Sequence, residues 1–190
     1  MVPEPGDALA GPGTGRPSGG MARLFVATWP PPEVVAVLSS LERPVVPGVR
    51  WSAPPQWLVK VRPLGYVDDR VVAPLAEVLE AELDGAPAPG CVLGPETRRF
   101  GGQWLGVPVA GLDELAAAVF EATEELVPVT HPQPFQAEVV LARGRVPRRL
   151  AGRPVSASWT ARSVALVADR SAPGAARFED LAVFPLGTGA

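Results

Sequence analysis

Two cations stand in the alternating apolar run QWLVKVRPLG, residues 56–65, and one of them, Lys60, is the only lysine in the chain. Strict alternation gives Trp57, Val59 and Val61 one face of a strand and Leu58, Lys60 and Arg62 the other. A second alternating run, PFQAEVVLARGR (134–145), sets Gln136, Glu138 and Val140 on the face away from Phe135, Ala137, Val139 and Leu141. Alternation also puts Arg143 on the opposite face from Glu138. Cations on one strand and a carboxylate on another could grip a phosphate, or they could neutralise each other as an ion pair. Glu138 could also serve as a general base, and so could His131, the one histidine, in the loop VTHPQP. Such a Pro-flanked histidine is more often simply exposed.

Other chemistries lack their residues. Cys91 is the only cysteine, so disulfide frameworks and paired-cysteine zinc sites are excluded, and a buried, inert thiol is expected. Glycine-rich phosphate loops and nucleophile elbows are absent. No metal ion and no cofactor are expected. Trp51 and Trp104 could stack a base at a groove rim, although core packing is the commoner role. Arg143, Arg145, Arg148, Arg149 and Arg153 form a local basic cluster. It reads first as solvated surface, with RNA backbone contact as the alternative.

The elements that must hold these residues follow from patterning. The 190 residues are 47% hydrophobic with a net charge of −3, enough for a real core and too little charge to draw nucleic acid or anionic membrane broadly. Isoleucine and asparagine are absent and basic residues are nearly all arginine, as a GC-rich genome produces. No apolar run approaches the ~18 residues of a membrane span. Residues 1–20 lack the basic start and apolar stretch of a signal peptide, so a cytoplasmic protein is expected. That Pro/Gly-rich segment has almost nothing to bury and reads as a disordered extension, with Met21 a candidate true start. Residues 21–190 read as one two-lobed domain.

Within it, strands are expected at 23–28, 56–65, near 90–94, and at 103–109, 134–145, 162–170 and 176–186. Helices are expected at 31–43, 67–85 and 113–127, with a short helix or turn at 147–150. Strands interleaved with helices give an α/β or α+β class. The strands at 56–65 and 134–145 look like counterparts, one in each half, facing each other across a groove.

In order and spacing, several landmarks resemble the LigT-like two-histidine phosphoesterases, the RNA 2′,3′-cyclic phosphodiesterases also called 2′-5′ RNA ligases. They are RLFVAT (23–28), Val49-Arg50-Trp51, Arg62 with Leu64-Gly65, WLGV (104–107), Pro134-Phe135 with Leu141 to Arg143, and ARFEDLAVFPLG near the end. The resemblance implies an α+β, two-lobed fold with two antiparallel-type sheets around a central groove and helices outside. It also implies two His-x-Thr (or Ser) motifs, one per half: one histidine as base, one as acid, and two hydroxyls on the phosphate.

Position by position, Leu58 stands at the first histidine, Lys60 at its hydroxyl, Glu138 at the second histidine and Val140 at its hydroxyl. Neither Leu58 nor Val140 can move a proton. A general acid or base contributes about 10²–10⁴-fold, so the chain is expected to be a catalytically impaired or inactive relative. Binding of a nucleotide or RNA end with a terminal phosphate is expected to survive, through Lys60, Arg62, Glu138, Arg143 and Trp104, in a monomer without membrane partners. The alternatives are an active phosphodiesterase using Glu138 and His131, and a non-catalytic protein-interaction domain whose groove is closed by a Lys60–Glu138 ion pair.

Overall fold

The computed structural model of the protein describes residues 20–129, 133–173 and 176–187. The disorder expected for the N-terminal extension and the role considered for His131 both lie outside the described residues, apart from Gly20.

Strand β1 (Met21–Thr28) opens the fold and is followed by α1 (Pro32–Ser39), which buries Val34 and Leu38 one turn apart. Pro32 sits in the first turn, where a missing N–H costs nothing. A short strand, β2 (Val49–Trp51), precedes β3 (Val59–Asp68). The second helix, α2 (Val72–Leu83), starts five residues later than the pattern predicts, because β3 runs on through Asp68 and a single 3₁₀ turn intervenes. Pro74 thus falls in the first turn of α2, and Leu75, Leu79 and Leu83 are buried at four-residue spacing. Then come β4 (Gly90–Leu93), β5 (Arg98–Phe100), β6 (Trp104–Ala110) and α3 (Asp113–Thr123). The chain closes with β7 (Glu138–Gly144), β8 (Ala157–Thr160), β9 (Ser163–Asp169) and β10 (Phe178–Pro185).

Among the described residues the strands form one antiparallel path in the order β10-β9-β1-β3-β7-β6-β4-β8, with β2 added to β7 and β5 to β6. The two sheets expected from the sequence are its two halves. They meet where β3 pairs with β7 through one residue pair, Val59 with Val139. A main cluster of buried residues draws on both halves, with Leu24, Val59, Leu79, Val107, Val119 and Val139 among its members. A smaller cluster of Phe25, Ala27, Leu58, Ala165 and Val167 packs apart from it. No helix among the described residues is long and apolar enough to cross a membrane.

Two irregularities in the ladders redirect the site. In β3, Lys60 lies opposite Ala27 and Arg62 opposite Val26, leaving Val61 as an extra residue. In β7, Ala142 lies opposite Leu105 and Val140 opposite Gly106, leaving Leu141 extra. Each bulge interrupts the two-residue alternation and moves the side chains that follow it to the other face, as far as the next irregularity, which in β3 comes at Leu64.

Candidate functional site

A groove of about 910 Å³ runs along the junction of the two halves. Leu58, Lys60, Glu138 and Val140 all line it, so the four positions identified by spacing come together in space. The cause is local. Val59 and Val139 pair backbone to backbone and bury their side chains at 0% exposure, which turns the residues on either side of each valine toward the groove.

The first half supplies an apolar floor. Leu58 is 4% exposed in the small cluster with Phe25 and Val167, and the rings of Phe25 and Phe178 meet edge-to-face at 5.2 Å. Above this floor Lys60 places its ammonium 4.8 Å from the centre of the Phe25 ring. Burial first, and then the neighbouring charges of Arg143 and Arg23, push Lys60 down to about 8 from its usual range. Arg23 also lines the groove, held 3.6 Å from Asp169 on β9.

The second half supplies Glu138, Trp104 and Arg143. The Trp104 indole N–H donates to Glu138 Oε1 at 3.0 Å, while Glu138 Oε2 is buried without a hydrogen-bond partner. Burial raises the Glu138 carboxyl above its ordinary range, against the lowering pull of the Trp104 hydrogen bond, Arg143 and Lys60. Gln136 adds a neutral polar group to the same wall.

Two facing assignments are corrected here. Lys60 and Arg62 do not share a face. The bulge at Val61 leaves Lys60 beside Ala27, on the side of the small cluster, and turns Arg62 beside Val26, on the side of the main core. Arg62 is 4% exposed and borders the groove, but both Nη atoms are engaged at the end of α3, and its Nε is buried without a hydrogen-bond partner. Nη1 donates to Thr123 Oγ1 and to the Phe120 carbonyl at 3.3 Å, Nη2 donates to the Val127 carbonyl at 2.6 Å, and the guanidinium stacks 4.7 Å from the Phe120 ring. It closes the carbonyl end of a helix, where a cation is electrostatically favoured.

Arg143 and Glu138 do share the groove, although plain alternation separates them. The extra residue at Leu141 buries Leu141 and Ala142 in succession and returns Arg143 to the side of Glu138 and Val140. Lys60 and Glu138 make no direct N···O contact within 4.0 Å, and the four ion pairs among the described residues join other groups. The β3–β7 ladder ends after its single pair, so the strands give Lys60 and Glu138 no continued register to meet in, and Glu138 takes the Trp104 N–H instead.

Trp51 packs against the core and donates to the Pro44 carbonyl at 3.0 Å, whereas Trp104 faces the groove. Cys91 is buried, and its thiol is pushed up to about 11 by that burial. Arg153 leaves the basic cluster to meet Glu42 at 3.5 Å, while Arg145, Arg148 and Arg149 stay exposed. Arg23 is the cation of the groove that the sequence did not reveal, and Phe120 and Phe178 are aromatic lining residues it did not reveal either. The position of Arg23 at the head of β1 was visible, but its place across from Asp169 depends on the β1–β9 pairing. Among the described residues no cluster of three or more His, Cys, Asp or Glu is arranged to hold a metal ion.

No protein-family model matches the chain, and no curated protein matches its sequence. Solved structures do. The chain is 20% identical to Escherichia coli LigT in complex with 3′-AMP, at a TM-score of 0.73, over 88% of this chain and 99% of that one. It is 24% identical to TT0787 of Thermus thermophilus, at a TM-score of 0.73, over 88% and 100% of the two chains. A third structure, a phosphoesterase, is 21% identical at a TM-score of 0.71, over 90% and 100%. Escherichia coli LigT is also known in complex with NADP⁺, with phosphate and with ATP. The chain has the LigT-like two-histidine phosphoesterase fold.

Proposed function

We propose that the groove binds a nucleotide or RNA end through a terminal phosphate and does not perform two-histidine phosphodiester chemistry. The observation that carries this reading is the charge pattern around Lys60. Arg23, Lys60 and Arg143 line the groove together, Asp169 is engaged by Arg23, and Glu138 is turned to Trp104. That leaves Lys60 and Arg143 without a carboxylate within 4.0 Å among the described residues, in a concave, partly apolar site where a phosphate is held more strongly than in water. A cavity of this size suits a nucleotide, and the complexes of Escherichia coli LigT with nucleotides and phosphate support the ligand class. Leu58 offers no proton and Val140 no hydroxyl, so one member of the acid–base pair and one phosphate-holding hydroxyl implied by the resemblance are missing, and Glu138 stands in place of the second imidazole.

A second reading has one observation in its favour. The raised Glu138 carboxyl, with an unpartnered oxygen facing inward, is suited to act as a general base nearer neutrality. Incubating the protein with 2′,3′-cyclic nucleotides and a cyclic-phosphate-ended RNA separates the two. Binding of nucleoside 3′-phosphates without turnover supports the first reading. Turnover that disappears in Glu138→Gln overturns it in favour of the second.

A further inference from the structure

Four directly opposed residues cross the second half of the sheet in one row: Phe100 on β5, Trp104 on β6, Arg143 on β7 and Arg50 on β2. Opposed residues of antiparallel strands project from the same face, and Trp104 and Arg143 fix that face as the one lining the groove. Beyond the groove, a shallower depression of about 460 Å³ shares both residues and continues to Arg145.

The row combines two partly exposed aromatic rings with two exposed guanidinium groups. Arg50 and Arg143 stand directly opposite each other, a like-charge pairing that disfavours the sheet. Neither they nor Arg145 has a carboxylate within 4.0 Å among the described residues. Close cations with no internal counter-charge are relieved by an external anion. Aromatic faces beside them suit bases, whose stacking is worth ~1–3 kcal/mol each.

We propose that the row Phe100–Trp104–Arg143–Arg50, extended by Arg145, is a binding track for a single-stranded polynucleotide whose phosphate-bearing end lies in the groove. This rests on the phosphate-binding reading of the groove and deepens it: the ligand is a strand, not a free mononucleotide. Three inter-strand spacings of ~4.8 Å give the row ~14 Å, about four nucleotides at ~3.4 Å per stacked residue. The cations meet the backbone and the rings meet bases, so the track reads length and charge more than sequence.

The test compares a nucleoside 3′-monophosphate with 3′-phosphorylated single-stranded RNAs of two to eight nucleotides, by direct titration at several salt concentrations. Affinity rises with length to about four nucleotides and then levels. The log–log salt slope steepens by about 1.4 as two further phosphates engage Arg50 and Arg145. In an Arg50→Gln/Arg145→Gln double variant the ratio of oligomer to mononucleotide affinity falls toward one, and Phe100→Leu lowers it in part. Both arginines are at the surface, and matched melting curves show that the variants are folded. If the mononucleotide binds and longer RNAs bind no tighter, the track is refuted while the groove reading stands. If neither binds, the groove reading itself falls, and the track with it. Equal binding of a poly-glutamate peptide of matched charge also overturns the assignment to nucleic acid.

Discussion

Trp104 and Glu138, on adjacent strands, are joined by a 3.0 Å hydrogen bond that satisfies one carboxylate oxygen and leaves the other buried and unpaired. The ionised carboxylate is therefore only half compensated for losing water, which is why its affinity for a proton rises.

The first prediction follows from that imbalance. The native state holds the Glu138 proton up to a higher pH than the unfolded chain does. Its contribution to stability therefore falls as pH rises from the ordinary carboxylate range through the raised one. Glu138→Gln, neutral at every pH, is expected to be more stable than the parent at pH 7, with the gap closing toward pH 4. Urea midpoints across that range measure it, and a parent that is the more stable at pH 7 contradicts it.

Lys60 carries the opposite sign. Its native value of about 8 lies below the unfolded value, so between pH 8 and 10.5 the unfolded chain holds a proton that the native protein has released. Stability from this group is then regained as pH rises through that window. A phosphate in the groove reverses the situation by favouring the ammonium, so nucleotide affinity falls above pH 8 and binding near pH 8 takes up a proton. Calorimetry in buffers of different ionisation enthalpy reads the uptake, and Lys60→Met abolishes it.

Arg62 is expected to behave as a structural residue. Replacing it with methionine removes the donors that serve Phe120, Thr123 and Val127 and destabilises the fold by about 2–4 kcal/mol. Chemical denaturation gives that loss. The affinity of the folded fraction for a nucleoside 3′-phosphate stays within about twofold, and a tenfold loss of affinity would return Arg62 to the binding site.

Restoring the missing groups tests whether the groove keeps a catalytic geometry. The quadruple variant Leu58→His, Lys60→Thr, Glu138→His, Val140→Thr is expected to hydrolyse 2′,3′-cyclic nucleotides at least about 10²-fold faster than the parent. Its weak point is Leu58, whose replacement puts an imidazole against Phe25 and Val167. A folded variant with no gain in rate shows that the side-chain directions, and not only the side-chain types, have changed.

The longer elements were legible because burial there follows one period throughout. Leu75, Leu79 and Leu83 mark α2, and β9 carries an unbroken run of buried residues from Val164 to Ala168. The short strands β2, β5 and β8 were not legible, since three or four residues carry too little pattern. Arg98 and Arg99 fall between the strands expected near 90–94 and at 103–109, yet they pair with Gly106 and Leu105. At the site, the four motif positions were found by spacing, but two facing assignments failed for one reason. A period-two argument holds only between bulges, and an extra residue at Val61 or Leu141 is set by the partner strand, which the local sequence does not show. The hydrogen bond between Trp104 and Glu138 was hidden likewise, because it depends on the β6–β7 register.

The single Val59–Val139 pair that joins the two halves of the sheet also has a mechanical meaning. No second ladder pair among the described residues ties β3 to β7, so strand register alone does not fix how Lys60 stands to Glu138; the packing of the buried cluster shared by both halves does. A volume change in that cluster, at Val59 or Val139 above all, therefore reaches the centre of the groove without altering any residue that lines it.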